Sequence, residues 1–445
     1  MTFLEKKKRG RKMEFVSESL NVNEKGHLTI GGVDTVYLKE KYGTPLYVMD
    51  EDLIRKNMGE YRDALKEYYG GNGMAHYASK AFSCKYIYKV AQEEGLGADV
   101  VSGGELYTAL KAGFPPQNIC FHGNNKTVDE LKMAVENNVG HIIVDNETEL
   151  FRLEEICKEL NKKQEIIFRI KPGVDAHTHD FIKTGQIDSK FGFAIETNEA
   201  IEIVKKVKSL KNVIYKGIHC HIGSQIFELA PFIETADVMM NFIKEIKDKT
   251  GLETDILDFG GGFGIKYVEE DKPIKYAEFI KAVSEEVKKL SKDLGVKIPY
   301  ILMEPGRSLV ASAGITLYEV GCVKEIPNVR TYVSVDGGMG DNPRYILYGA
   351  KYCGCIANKA DKEADKVYTI AGKCCESGDL IMENEKFQEA EVGDTLAVFA
   401  TGAYNYSMAS NYNRIPRPAV VFVRNGEDKL VVKRETYDDI ISLDL

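Results

Sequence analysis

No apolar stretch in this chain approaches the roughly 20 residues that span a bilayer, and its first residues carry no apolar core of the kind a secretory leader has. A soluble, cytoplasmic protein is therefore expected. A basic excess is missing as well: 59 Lys and Arg stand against 68 Asp and Glu, a formal net charge of -9. That argues against nucleic acid as a general partner, because a phosphate-binding surface needs surplus positive charge. The run "KKKRGRK", Lys6 to Lys12, is the local exception. Nothing apolar or aromatic accompanies it, so residues 1–12 read as a disordered basic extension rather than a membrane or nucleic-acid patch. Nine cysteines, an odd number scattered along the chain, offer no disulfide framework and fit a reducing compartment. Cys353, Cys355, Cys374 and Cys375 cluster in sequence, yet adjacent cysteines chelate one tetrahedral ion poorly and no histidine lies nearby, so no metal is expected there.

What the chain does have is repetition. Its 445 residues exceed one compact core, which predicts two domains. Short apolar, β-branched runs recur: "MAHYAS" (74–79), "GADVVS" (97–102), "NICFHG" (118–123), "HIIVDN" (141–146), "EIIFRIKPG" (165–173), "YKGIHCHIG" (215–223), "TDILDFGGG" (254–262) and "PYILMEPG" (299–306). Amphipathic stretches separate them, including Lys85 to Glu94, Val128 to Asn137, Phe232 to Thr250 and Tyr276 to Leu294. Eight alternations of strand and helix is the count of a (β/α)8 TIM-like barrel, with a doubly wound sheet as the alternative. From about Ser308 the texture changes to strand-like runs such as "TYVSVDGG", "DTLAVFATGAY", "PAVVFVRNG" and "KLVVKRET", with a turn at "NG" (425–426). The expected architecture is an α/β barrel plus a β-rich domain, divided as 1–12 extension, 13–47 N-terminal strands joining the β-rich domain, 48–307 barrel and 308–445 β-rich domain.

In such a barrel, chemistry sits where strands end and loops begin. Those positions carry Lys80, Ser102 and Gly103, His122, Asp145, Arg169, His219 and His221, Gly260 to Gly262, and Glu304. Lys80 in "AHYASKAFSC" is flanked by Ala78, Ser79 and Ala81, small residues that would leave room for a ring. Its bland reading is a solvated loop charge. "DFGGGFG" (258–264) puts three glycines directly after an apolar strand, where backbone amides can close around a phosphate, or simply form a tight turn. Ser224 could add a hydroxyl. A lysine amine, an anion cradle and an acid on one barrel face suggest pyridoxal phosphate, with Glu304 keeping a pyridine nitrogen protonated. The rival is a metal site from "HCH" (219–221) and "HTHD" (177–180), opposed by the lysine on the first strand. A histidine flat against a cofactor ring is a third use of His221.

These motifs resemble those of the fold type III, alanine-racemase-like decarboxylases that depend on pyridoxal phosphate, and among them the branch acting on diaminopimelate. The resemblance runs from about Gly43 to Tyr437, carried by "YASKAF", "FHGNNK", "PGVDAHTHDFIKTGQIDSKFGF", "HCHIGSQ", "DFGGGFGI", "EPGRSLV", "DNPRYILYGAKY", "CESGD" and "GAY". It implies that Lys80 carries the pyridoxal 5'-phosphate aldehyde, His221 stacks on its ring and Glu304 pairs with the ring nitrogen. By the same resemblance Ser224, Gly260, Gly261, Gly262 and Tyr404 hold the phosphate, with Arg307 also at the cofactor. Arg307, Arg344 and Tyr348 take the substrate's distal carboxylate, Glu376 its distal ammonium, with Tyr404 beside them, and Cys375 returns the proton. Cys375 and Glu376 come from a partner subunit, so a homodimer with shared sites is implied. The implied reaction is decarboxylation of meso-2,6-diaminopimelate to L-lysine, the last step of lysine biosynthesis; a relative acting on carboxynorspermidine, ornithine or arginine is the alternative. A cofactor-carrying binding protein without catalysis is a further one. The chain reads "GKCCESGD" where the family pattern has a proline-containing "GPxCESGD", placing Lys373 and Cys374 just before Cys375.

Overall fold

The computed structural model describes residues 15–174 and 188–445, so the basic run and the "HTHD" segment lie outside the described residues. The described residues divide into two compact units, one within Arg55–Gly264 with Lys272–Leu309, the other of 15–54 with Ile265–Asp271 and Val310–Leu445.

The first unit is the expected barrel. Its strands are β1 (Gly73–Ala78), β2 (Gly97–Val100), β3 (Ile119–Phe121), β4 (His141–Val144), β5 (Gln164–Lys171), β6 (Val213–His219), β7 (Ile256–Asp258) and β8 (Tyr300–Met303). Every neighbouring pair is parallel, and β8 returns to β1 with Ile301 opposite Gly73, so the sheet closes and leaves no edge. Parallel strands covered by helices are buried on both faces, which is why "HIIV" and "YILM" are continuous apolar runs rather than alternating ones. Cys120, Ile143, Ile167, Ile256 and Leu302, contributed by five different strands, pack into a single apolar cluster. Polar residues in the loops after three strands start the next helix: the side chains of Ser102, Thr127 and Asn146 accept from the amides of Glu105, Glu130 and Glu149. Ser102 is thereby a helix cap.

The second unit is built on the long strand Gly314–Ile326, which pairs antiparallel with Leu46–Asp50, Thr395–Phe399 and Arg330–Val335. Leu46–Asp50, a strand running across position 47/48, also pairs parallel with Ala419–Arg424. Leu28, Ile30, Leu46 and Val48 share one apolar cluster with Ile315, Leu317, Phe399, Val421 and Val423. Burial of that face ties the N-terminal strands to the C-terminal ones.

The loop after β3 is held by Lys126, whose Nζ donates to Glu149 Oε1 at 2.7 Å and to the carbonyls of Gly123 and Ile143 at 2.8 Å each. Both side chains are almost fully buried. Burial pushes the lysine down and the glutamate up, so each needs the other to stay charged. Lys126→Met should cost about 3–5 kcal/mol of unfolding free energy in urea titrations, because Glu149 is left buried without its cation. Most of that loss should return in Lys126→Met with Glu149→Leu.

Candidate active site

Glu304 follows β8 immediately, its amide donating to Gly260 O at 2.7 Å. Its carboxyl group faces two histidines delivered by other strands. His219 Nε2 lies 3.3 Å from Oε2, and His122 Nε2 lies 2.5 Å from Oε1 in a contact not aligned as a hydrogen bond. Asp99 stands 3.6 Å from His122, and Asp258 shares the same buried nest. Removal from water disfavours every charge here. Burial raises Glu304 and Asp258, lifts Asp99 to about 7, drives His122 well below the ordinary imidazole value and lowers His219 to about 3. The nest is thus a low-charge pocket around one carboxyl that a cationic ring nitrogen would ionise.

The metal reading takes a different shape from the one the sequence suggested. Ligand atoms of His122, His219, Asp258 and Glu304 lie within 4.8 Å of one another. Of "HCH" only His219 takes part; His221 accepts a hydrogen bond from the Gly261 amide at Nδ1, 3.2 Å away, and burial keeps it neutral. Among the described residues no cysteine joins such a group.

Lys80 sits in the turn Ser79–Ala81 directly after β1, exposed between buried neighbours. Among the described residues its amine makes no hydrogen bond or ion pair. The small flanking residues have a packing reason that sequence reading missed. A Cβ on Gly306 would stand 3.0 Å from that of Ala78 and 3.2 Å from that of Ala81, so the ends of β1 and β8 meet through them. Ser79 is held too, its Oγ donating to Asp99 O at 2.5 Å.

The glycine loop after β7 is both a close-packed junction and a donor surface. Gly260 and Gly262 have φ of +65° and +111°, and a Cβ on Gly261 would fall 2.3 Å from Glu304 O. Phe263 anchors it, stacked on Phe232 at 5.1 Å and meeting Phe279 and Tyr61 edge-on. In the same unit Arg307 Nη2 donates to Ser224 Oγ at 2.8 Å. The backbone cradle that side chains cannot fill, the hydroxyl and the guanidinium form a donor set suited to a phosphate, and the Glu304 nest suits a pyridine nitrogen. The residues therefore fit pyridoxal phosphate.

The remaining sequence-predicted residues belong to the other unit. Arg344 opens the short helix Arg344–Tyr348 and is buried, its guanidinium 5.6 Å from the Tyr404 ring centroid; Tyr348, at the other end of that helix, is exposed. Asp379 braces the loops around them, accepting from Met339 N at 2.6 Å and Cys374 N at 2.7 Å. The two adjacent cysteines are sorted by the backbone. Cys374 is buried, which pushes its thiol up to about 11, while Cys375 and Glu376 are exposed. The sequence places His122 at the end of β3 without giving it a role or its pairing with Glu304, and it gives no signal for Asp99 or Asp258 as members of the nest.

Asp341, in "DNPR", takes the Tyr318 hydroxyl at 2.5 Å on Oδ1 and the Gly338 amide at 3.0 Å on Oδ2, and burial raises it to about 7. A carboxyl raised on folding keeps its proton longer in the folded state, so its contribution to stability falls as pH rises between the unfolded value near 4 and about 7. Across that window Asp341→Asn should reduce the pH slope of unfolding free energy by about 1.4 kcal/mol per pH unit, one proton's worth. Unfolding curves at several pH values check this.

Comparison with known proteins agrees with this geometry. The family described as "Pyridoxal-dependent decarboxylase, pyridoxal binding domain" matches residues 51–311. A diaminopimelate decarboxylase of Bacillus subtilis (strain 168) is 52% identical over 431 residues, covering 97% of this chain and 98% of its own. A crystal structure of diaminopimelate decarboxylase from M. jannaschii in co-complex with L-lysine superposes with a TM-score of 0.91 at 38% identity, covering 97% of this chain and 99% of that one. The Helicobacter pylori diaminopimelate decarboxylase complexed with L-lysine gives 0.84 at 32% identity, covering 92% and 99%. With a closed eight-stranded barrel, a lysine after β1 and a carboxyl nest after β8, this chain belongs to the diaminopimelate decarboxylase family of pyridoxal-dependent decarboxylases.

Proposed function

We propose that this chain decarboxylates meso-2,6-diaminopimelate to L-lysine and carbon dioxide with pyridoxal 5'-phosphate as cofactor, the last step of lysine biosynthesis. The observation that carries the reading is the buried carboxyl of Glu304, set among His122, His219, Asp99 and Asp258 where charge is otherwise suppressed. When bound, the cofactor supplies a protonated pyridine ring that draws in the electron pair left by departing carbon dioxide. Glu304 would hold the proton at the ring nitrogen, the ionised carboxylate being favoured by that cation and by Lys80 and Arg169 nearby. Lys80 would hold the aldehyde through its amine, and His221, neutral and fixed at Nδ1 by the Gly261 amide, would present its ring face. Gly260 to Gly262, Ser224 and Arg307 would hold the phosphate, with Tyr404 joining them.

For the substrate, the guanidinium groups of Arg307 and Arg344 offer planar grips on a second carboxylate. Tyr348 would add its hydroxyl, and Glu376 would meet the distal ammonium. Cys375 Sγ would return the proton to the carbon that lost carbon dioxide. The chain would work as a homodimer, with Cys375 and Glu376 of each subunit serving the other's barrel. Exposed Leu347, Tyr348 and Tyr412 support a covered surface there: the Cys375 amide donates to Asn413, beside Tyr412, and Gly378 packs on Ile346, beside Leu347. No helix of the described residues is long and apolar enough to cross a membrane, in keeping with a cytoplasmic enzyme.

The test is an absorbance spectrum of the purified protein with meso-diaminopimelate added and L-lysine followed in the same sample. The visible band of the bound cofactor should change on addition and lysine should appear, with both lost in Lys80→Ala. A band indifferent to diaminopimelate but responsive to ornithine, arginine or carboxynorspermidine would assign the substrate elsewhere. Cys375→Ala should lower kcat by about 10²–10⁴, the usual worth of a positioned proton donor, while Cys374→Ala, a buried neighbour with a raised thiol, should retain most of the wild-type rate.

A further inference from the structure

Arg344 is a buried cation whose partners are phenols rather than acids. Its Nη1 donates to Tyr352 OH at 2.6 Å and to Tyr267 OH at 3.3 Å. Its guanidinium carbon lies 5.4, 5.8 and 5.6 Å from the ring centroids of Tyr267, Tyr352 and Tyr404. A buried guanidinium is ordinarily matched by a carboxylate or phosphate, and an aromatic cage with two neutral acceptors orients the charge without neutralising it. Both phenols address the same nitrogen. Among the described residues the Nε and Nη2 edge makes no hydrogen bond, which leaves two parallel donors in the arrangement that grips a carboxylate bidentately.

Each tyrosine is itself fixed from behind. Tyr352 is 1% exposed, and its hydroxyl also accepts from Asn405 Nδ2 at 3.4 Å; that amide, fully buried, donates in turn to Thr401 O at 3.2 Å. Tyr267 is pinned by its backbone, the amide donating to Asp271 Oδ2 at 2.9 Å and the carbonyl accepting from Cys353 Sγ at 3.2 Å. The two rings meet at right angles, 5.6 Å between centroids. A flexible arginine is thereby confined to one orientation by two rigid side chains and a buried amide.

We infer that Tyr352 and Tyr267 are positioning residues that aim Arg344 at the substrate's second carboxylate, so that their hydroxyls set selectivity for a carboxylate-bearing distal end and leave the rate of carbon dioxide loss unchanged. This rests on the reading of Arg344 as a carboxylate anchor given under the proposed function.

The experiment compares the cofactor-loaded wild type with Tyr352→Phe and Tyr267→Phe by calorimetric titration of L-lysine and of cadaverine, the same diamine chain without the carboxylate. L-lysine should bind about tenfold to a hundredfold more weakly in the variants, the loss of one hydrogen bond to a charged group, while cadaverine binding stays within about twofold. KM for diaminopimelate should rise with the lysine constant while kcat holds. Equal weakening for both ligands, or unchanged lysine binding in both variants, overturns the inference. Tyr267→Phe keeps the test decisive should Tyr352→Phe fail to fold. A wild type that binds lysine but does not turn over diaminopimelate would defeat the activity reading, and the ratio of lysine to cadaverine affinities would still decide the role of the tyrosines.

Discussion

The barrel is organised around one buried carboxyl group. Glu304 follows a strand whose last three residues are buried and apolar, and burial makes its ionised form expensive unless a cation approaches. The histidines and acids in contact with it supply no permanent charge, and Lys80 and Arg169 act on it only from a distance. His122 and His219 are held neutral, Asp99 and Asp258 are held protonated longer than usual, and the nearby lysine is reserved at an exposed turn. The glycine loop can lie against Glu304 only because Gly261 has no side chain to collide with its carbonyl. Acid, loop and turn are fixed by the closure of β8 onto β1.

Much of this is legible in the sequence, for a physical reason. Strands buried on both faces must be continuous apolar runs, so all eight could be counted, and each run stopped at something polar or small where strand gave way to loop. Lys80, Glu304 and the glycine triplet stood out by that rule. The partnerships did not. His122 follows β3 and Glu304 follows β8, and nothing in the 181 intervening residues announces that barrel closure brings their side chains together. Local patterns report burial, while pairing across a closed sheet is a property of the whole ring.

Other features have causes that local pattern does not show. Ala78 and Ala81 read as space for a ring, and Gly306 also packs closely on both. Ser102, a polar strand end like any other on the sequence, caps a helix. The strand Leu46–Asp50 runs across the boundary expected at 47/48, and its partners Gly314–Ile326 and Ala419–Arg424, more than 260 residues away, are invisible in the local pattern. Cys374 and Cys375 are equivalent on paper, and only the backbone decides which thiol faces outward.

Asp379 takes one amide from the segment leading to Arg344 and another from the segment leading to Cys375, and a Cβ on Gly338 or Gly372 would fall on its carboxylate. The arm proposed to recognise the substrate and the arm proposed to deliver the proton are thus moored to the same post. A change at that post would loosen both arms together, so recognition and proton delivery could not be retuned independently through Asp379.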